Sequence, residues 1–385
     1  MNLLILVWCV GAVIMTHQLT KLYIEPTTAC NLDCAMCVRR AWSEPTGQTS
    51  LATFADLMQQ VRAFPAPPVI HLSGYGEPMC HADFLELVRL AKATGARVEM
   101  TTNAMLLDEA KAAALVELEL DRLNVSIDGV SPERFGEIRV DGSLPDVIAN
   151  VERLHRLVLR HKGRRGKPHI GIAFVAMRSN VADLSDLPLL ANRLHARWIQ
   201  VSNVVPHNRE MEAEILYEHA LRAPAYRASP WAPALNLPKL DYNDATVGPL
   251  RDVYNSTVSI SMVNQSLSGL GDYCRFAQEG YAAIRWDGEV SPCLSLLHDH
   301  PEYIHHRRKD ITHHAFGNIH DTSLFDIWHG SDFTAFRDRL CAFDFSPCTT
   351  CGGCERFPRN FEDCTGNTFP TCGGCLWAQG FVQCP

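Results

Sequence analysis

Three cysteines, Cys30, Cys34 and Cys37, stand at C-x3-C-x2-C spacing just past an apolar run, Leu22-Tyr23-Ile24. Three thiolates can hold three irons of a cubane [4Fe–4S] cluster, whereas an electron carrier would normally supply four. The fourth iron then has no protein ligand and can bind a substrate or cofactor. The spacing therefore points to a cluster that does chemistry at one exposed iron. Two other readings stand beside it. A structural zinc site wants a fourth ligand close by, and no Cys, His or Asp completes an obvious set. Disulfides would leave one of the three thiols over.

The elements that must position these thiols follow from the rest of the chain. Its 385 residues suffice for two domains with real cores. With 46% hydrophobic and 20% charged residues it is globular rather than disordered. A net charge of -8 without a long basic run argues against nucleic acid as the main partner. Ten of the fifteen cysteines follow position 270, and none lies between Cys80 and Cys274. That clustering suggests metal in a reducing cytoplasm. The apolar stretch Asn2–Met15 falls short of the ~20 residues that span a bilayer. It also lacks the basic start and cleavage site of a secretory signal. We expect translation to begin at Met15, with a membrane-surface anchor as the alternative.

Apolar β-type runs alternate with helical patterns. Strands are expected at Leu22–Ile24, Pro68–Leu72, Arg97–Thr102, Arg122–Ile127, His169–Met177 and Arg197–Val205. Helices are expected near Thr53–Phe64, Asp83–Thr94, Asp108–Leu118, Asp146–Arg160 and Leu187–His195. In the second, Phe84, Leu87, Val88 and Ala91 recur at helical spacing, and Gly95 follows as a stop signal. Six such repeats predict an α/β fold with a parallel sheet and crossover helices. The site then belongs at the carboxyl ends of the strands, where the three cysteines fall. Residues 1–20 read as an extension, 21–207 as the β/α core and 208–270 as a linker or cover. Within that cover a helix is expected at Glu210–Leu221, and the proline-rich Ala223–Leu250 is irregular. Residues 271–385 read as a small cysteine-rich domain with a helix near Phe333–Leu340 and little apolar core of its own. Such a domain needs metal to fold.

The other strand ends carry small polar groups. The second strand runs into Ser73-Gly74-Tyr75-Gly76-Glu77-Pro78, whose glycines let backbone approach a ligand closely. Its carbonyls and Glu77 would suit an ammonium group. The third ends in Thr102-Asn103-Ala104 and the fourth in Val125-Ser126-Ile127-Asp128-Gly129. These fit ribose hydroxyls or a carboxylate, and either could equally be a helix cap. His298, His300, His305, His306, His313 and His314 crowd one segment. Pro301 and Arg307-Arg308-Lys309 mark it as a solvated loop rather than a metal site. Trp42, Trp286, Trp328 and Trp377 are expected to pack rather than bind ligand.

In that order, the C-x3-C-x2-C loop, the G-x-G-E-P turn, the T-N pair and the S-x-D-G turn resemble the radical S-adenosylmethionine (SAM) superfamily, over residues 21–207. Two departures stand out. Met36 replaces a common aromatic before the third cysteine, and Tyr75 separates the glycines. The resemblance implies a partial (β/α)6 barrel in which Cys30, Cys34 and Cys37 ligate a [4Fe–4S] cluster. SAM would chelate its open iron. Gly74, Gly76 and Glu77 would hold the SAM amino group and Ser126 would contact SAM. Asn103, Asp128 and Arg139 are weaker candidates. An electron would then split the sulfonium to methionine and a 5′-deoxyadenosyl radical, which takes a hydrogen atom from the substrate.

The second half resembles the SPASM extension, which binds auxiliary [4Fe–4S] clusters in enzymes that modify peptides or proteins. Cys274, Gly288 with Cys293, Phe316-Gly317-Asn318-Ile319 and Leu324-Phe325-Asp326-Ile327-Trp328 carry that likeness. The later cysteines, Cys348, Cys351, Cys354, Cys364, Cys372, Cys375 and Cys384, depart from its usual spacing. With Cys274, Cys293 and Cys341, the last read as a bystander, the region has ten cysteines where two clusters need eight. A zinc knuckle in the tail is the competing reading. Arg40-Ala41-Trp42-Ser43-Glu44-Pro45-Thr46-Gly47 and the tail after Asp363 resemble the maturase group associated with tungsten-cofactor oxidoreductases of the aldehyde ferredoxin oxidoreductase type.

That likeness implies a cytoplasmic maturase with one SAM-binding and two auxiliary clusters. It would act on a protein or peptide, or on the tungstopterin of a tungsten oxidoreductase. Its electrons would come from a ferredoxin or flavodoxin, with no nucleic acid or membrane partner. The rival reading is an iron–sulfur electron-transfer or metal-binding adaptor without chemistry of its own. A radical enzyme acting on a small pterin precursor is the third. The residues single out no general base.

Overall fold

The computed structural model describes residues 18–163, 166–218, 221, 241, 243–254, 260–262, 273–343, 345–346, 348–351 and 354–384. Six parallel strands come first: β1 (Lys21–Ile24), β2 (Val69–Leu72), β3 (Val98–Thr102), β4 (Arg122–Ser126), β5 (His169–Ala176) and β6 (Ile199–Asn203). They lie side by side in sequence order, as consecutive β/α units must when each crossover returns to the next position. The runs are rich in Val, Ile and Leu and buried on both faces, as a parallel sheet requires. The partial-barrel expectation holds.

The helices between them carry one apolar face inward. In Phe84–Lys92 the residues Phe84, Leu87, Val88 and Ala91 are all buried. Ser50, Asp108, Ser131 and Ser143 each accept a bond from a first-turn amide of the helix that follows, which offsets otherwise orphaned donors. Pro145 sits in the first turn of Leu144–Lys162, where its missing N–H costs nothing.

The sheet does not stop with β6 and β1. Strand β7 (Ile260–Met262) pairs parallel with β6. Strand β8 (Tyr281–Ile284), from the cysteine-rich half, pairs parallel with the other side of β1, Lys21 against Tyr281 through Ile24 against Ile284. Strand β9 (Val290–Ser291) closes that side antiparallel to β8. The cysteine-rich half is therefore built onto the barrel sheet. Its side chains join Tyr23 in one apolar cluster with Phe276, Leu296, Phe336 and Leu340. A hairpin follows, β10 (His300–Ile304) against β11 (Arg307–Ile311).

Several expectations change here. The helix expected at Glu210–Leu221 is interrupted: Arg209–Ala213 is one turn and a half, the helix breaks at 214–217, and Glu218 and Leu221 are helical again, with 219–220 outside the described residues. Among the described residues the cysteine-rich half has four helices where one was expected: the single turns Arg275–Gln278 and Cys348–Cys351, and the adjacent Leu324–His329 and Ser331–Ala342, with Trp328 fully buried between the last two. The histidine-rich segment is a hairpin with a buried base: His298, His300 and Lys309 are all buried. The solvated-loop expectation fails because long-range partners, invisible to local composition, satisfy these groups. Residues 1–17, where Met15 and Cys9 fall, and most of Ala223–Leu250 lie outside the described residues.

Removing residues 273–385 would strip β8 from β1 and expose an apolar strand edge. We expect that truncated chain to be insoluble or aggregated. A soluble, folded fragment by circular dichroism and size exclusion would contradict the pairing.

Candidate functional site

Parallel order puts every strand's carboxyl end on one edge, and the polar strand ends meet there. The β1 loop is closed at its base by Thr27 and Thr28. Thr27 Oγ1 donates to Gly47 O at 2.9 Å, and Gly47 N donates to Thr28 Oγ1 at 2.8 Å. A Cβ at Gly47 would meet the Trp286 ring, 2.0 Å away, so only glycine fits under that indole. Within the loop Cys37 N donates to Cys34 O at 3.1 Å, and Ala35 N donates to Ile138 O at 2.8 Å, leaning the loop on the segment after β4. Cys34 is buried and Cys30 and Cys37 are half-buried. Burial pushes the Cys34 thiol up to about 11, against the opposing pull of the Arg139 guanidinium.

The turn after β2 packs onto that loop. Glu77 N donates to Ala29 O at 2.8 Å. A Cβ at Gly76 would stand 2.0 Å from Thr27 O, and one at Gly74 would strike the Glu25 side chain at 2.5 Å. Both glycines thus permit close approach between the turn and the cysteine loop. Glu77 is buried and accepts from Thr102 Oγ1 at 2.7 Å, Asn103 N at 2.8 Å and Met79 N at 3.1 Å. Burial raises its pKa although these bonds pull the other way.

Asn103 works twice. Its Oδ1 accepts from Met105 N at 2.9 Å, a turn cap, while Nδ2 donates to Asn31 Oδ1 at 2.9 Å and reaches Cys30 Sγ at 3.9 Å. Asp128 is buried behind the site. It accepts from Val175 N at 2.7 Å and pairs with Arg139 Nη2 at 2.5 Å. Arg139 in turn reaches Cys34 Sγ at 3.8 Å. Ser126 and Arg139 face a cavity of about 230 Å³ whose walls include Met36, Gly74 and Tyr75. Asp128 orients Arg139 rather than lining that cavity.

Sequence reasoning missed three contributors. Gln200, Ser202 and Asn203 of β6 face the cavity, and the strand-end rule applied to β6 would have found them. They also fasten the tail: Asn203 Nδ2 donates to Phe381 O at 2.8 Å and Gln383 N to Ser202 Oγ at 2.9 Å. Trp377, expected only to pack, lines the cavity from that tail. Third, His298 stands between Glu25 and Glu44. Its Nε2 lies 2.7 Å from Glu25 and its Nδ1 2.9 Å from Glu44, and its ring stacks on Trp42 at 4.2 Å. Glu25 also accepts from Tyr75 N at 2.9 Å, and Tyr75 Oη donates to Leu294 O at 3.0 Å. Tyr75 between the two glycines therefore ties the turn to the cysteine-rich half.

That half gathers its own thiols. Cys274, Cys293, Cys372, Cys375 and Cys384 line one small enclosed cavity. Cys354 and Cys364 border a separate surface cleft, and Cys348 lies near both. Among the described residues no three His, Cys, Asp or Glu side chains converge on a single-ion position; in the inner group the thiols surround a space instead. Cys341 lies at the edge of the inner group, near Cys274. All thirteen described cysteines are unpaired. Among the described residues no helix is long and apolar enough to cross a membrane.

A thiol loop on the first strand of a partial parallel barrel, with an attached multi-thiol domain, defines an iron–sulfur SAM enzyme. The Radical SAM superfamily profile matches residues 24–164, and the SPASM iron-sulfur cluster-binding domain profile matches residues 274–355. The chain belongs to the radical SAM superfamily and is an enzyme that uses [4Fe–4S] clusters and SAM. It is 31% identical to the tungsten-containing aldehyde ferredoxin oxidoreductase cofactor-modifying protein of Pyrococcus furiosus, over 94% of this chain and 96% of that one. It is 26% identical to the PqqA peptide cyclase of Rhizobium meliloti, over 77% of this chain and 68% of that one. Among solved structures, Streptococcus suis SuiB bound to S-adenosylmethionine superposes with a TM-score of 0.59 at 15% identity, covering 87% of this chain and 71% of that one. Native anSMEcpe with bound AdoMet gives 0.56 at 17% identity, covering 94% and 96%. These last two share the fold.

The His298 clamp makes a pH prediction. Burial disfavours its charged form, but the hydrogen bonds and charges of Glu25 and Glu44 outweigh that and raise its pKa above the usual 6.5. A raised folded-state pKa stabilises fully below the unfolded value and is lost as pH climbs through the folded one. We expect the urea midpoint of the reconstituted protein to fall as pH rises above about 6.5, and His298→Ala to flatten that slope. The same substitution should cost about 3 kcal/mol near pH 6, because it leaves a buried carboxylate without its partner.

Proposed function

We propose that Cys30, Cys34 and Cys37 hold the catalytic [4Fe–4S] cluster. SAM then lies along the edge formed by Gly74, Gly76, Glu77, Asn103 and Ser126. The observation that carries this reading is three unpaired thiols drawn together on one loop, with Arg139 reaching Cys34 and facing, beside Gly74, Ser126 and the loop's own Met36, one cavity. The thiols fit the group: they sit on one short loop and lack any fourth protein thiol in the same loop. With cluster and SAM bound, reductive cleavage supplies a 5′-deoxyadenosyl radical for hydrogen abstraction.

The chain's own residues position and shelter that chemistry. Arg139 places positive charge against Cys34 and the cavity, and Asp128 holds it there. Asn103 donates toward Cys30. The tail around Trp377, Val382 and Gln383 forms a wall that excludes water.

We infer a maturase. The near full-length likeness to a tungsten-oxidoreductase cofactor-modifying protein supports work on a tungsten oxidoreductase, its tungstopterin or a small partner peptide. The likeness to peptide cyclases supports a polypeptide substrate. Cys348, Cys354 and Cys364 lie near one another and would hold the outer auxiliary cluster; the side chain of Cys351, the sequence's fourth candidate, lies outside the described ones. Cys354 and Cys364 are exposed in a cleft lined by Arg356, Arg359, Glu355 and Glu362, open to an electron donor such as a ferredoxin or flavodoxin in the cytoplasm.

Reconstituted, reduced protein supplied with SAM should release 5′-deoxyadenosine, and alanine at Cys30, Cys34 or Cys37 should abolish it. Gly76→Ala should weaken SAM binding at least about tenfold, ~1.4 kcal/mol, because the turn must move off Thr27. Intact clusters that yield no 5′-deoxyadenosine would sink the reading. A mass shift in a co-expressed partner polypeptide would separate peptide modification from small-molecule work.

A further inference from the structure

The inner thiol group has five members where a cubane cluster takes four. All five line one enclosed cavity of about 40 Å³ together with Phe276, Leu340 and Trp377. Four of them face one another. Cys293 lies among Cys375, Cys274 and Cys372, and Cys372 lies beside Cys375 and Cys274. Cys384 is placed differently. Its thiol is hydrogen-bonded to Trp377 and feels the charges of Arg275 and Lys21 as well as Cys375. Its carbonyl accepts from Gln200 Nε2 at 2.5 Å, which pins it to β6. It also lies against Tyr75 of the glycine turn.

One further fact separates Cys384 from the other four. It lines the reaction cavity as well as the thiol cavity, and Cys274, Cys293, Cys372 and Cys375 line only the second. Trp377, Val382 and Gln383 share both cavities with it. The tail is thus a partition one side chain thick, and Cys384 is its thiol.

We propose that Cys274, Cys293, Cys372 and Cys375 ligate the inner auxiliary cluster, while Cys384 stays unligated as a substrate-facing thiol of the reaction cavity. This departs from the sequence expectation that Cys384 is a ligand. It rests on the reading that an auxiliary cluster occupies the inner site.

The test uses the full chain, reconstituted anaerobically, with iron and sulfide counted per chain and the reduced clusters read by electron paramagnetic resonance. Cys384→Ala and the closer-sized Cys384→Ser should keep the wild-type iron content and auxiliary signals. Cys372→Ala and Cys293→Ala should each lose about four irons. In cluster-loaded wild type, prolonged iodoacetamide treatment should alkylate Cys384, slowly because the thiol is buried, and spare Cys372. SAM at ten times its Kd should slow that labelling about tenfold by filling the shared cavity. Loss of about four irons in both Cys384 variants, or alkylation of Cys372 ahead of Cys384, overturns the assignment. Full iron retention in Cys372→Ala also overturns it. Wild type that binds only the irons of the Cys30 loop would instead remove the auxiliary cluster itself.

Discussion

The pairing of β8 with β1 is the constraint on which the rest depends. Strand β1 carries the cysteine loop at its carboxyl end, and β8 leads into the turn that delivers Cys293. Four residues of parallel register therefore set the distance between two thiol sites that lie some 250 positions apart in sequence. A parallel strand buried on both sides cannot slip by one residue without moving every side chain to the opposite, differently shaped face of the sheet. The two halves consequently share one sheet and cannot swing as separate bodies about a hinge.

Around that junction the contacts are polar and enclosed. His298, Glu25, Glu44 and Tyr75 draw together a strand end, the cysteine loop, the glycine turn and the cysteine-rich half. Buried ionic groups contribute little net stability but are costly to disrupt. Their consequence here is geometric: the Glu25 carboxylate that backs Gly74 is held by a histidine from the other domain. Arg139 and Asp128 play the matching part on the far side of the cavity.

Much of this was legible in the residues. The alternation of apolar runs and amphipathic helices predicted six strands in the order found, because β/α units fold from local signals. The strand-end motifs placed Gly74, Gly76, Asn103 and Ser126 on one edge for the same reason. What escaped were long-range pairings. Nothing local tells that Tyr281–Ile284 would lie beside β1, or that His298 would find two carboxylates. The basic and histidine-rich run read as solvated because its burying partners lie far off in the sequence, such as Gly374 for Lys309 and Glu25 for His298. The break inside the helix expected at Glu210–Leu221 was not visible in its pattern, because it falls where the Glu214 carboxylate accepts from the distant Ser179 N–H.

The fit of Gly47 beneath Trp286 carries a consequence for descent. The indole fills the space a side chain at position 47 would need, so the two sites constrain each other across domains. A lineage that gains a methyl at one must trim the ring at the other. A side chain gained at 47 should therefore come with a smaller residue at 286, leaving a covariation signature between the segment after the cysteine loop and the auxiliary half.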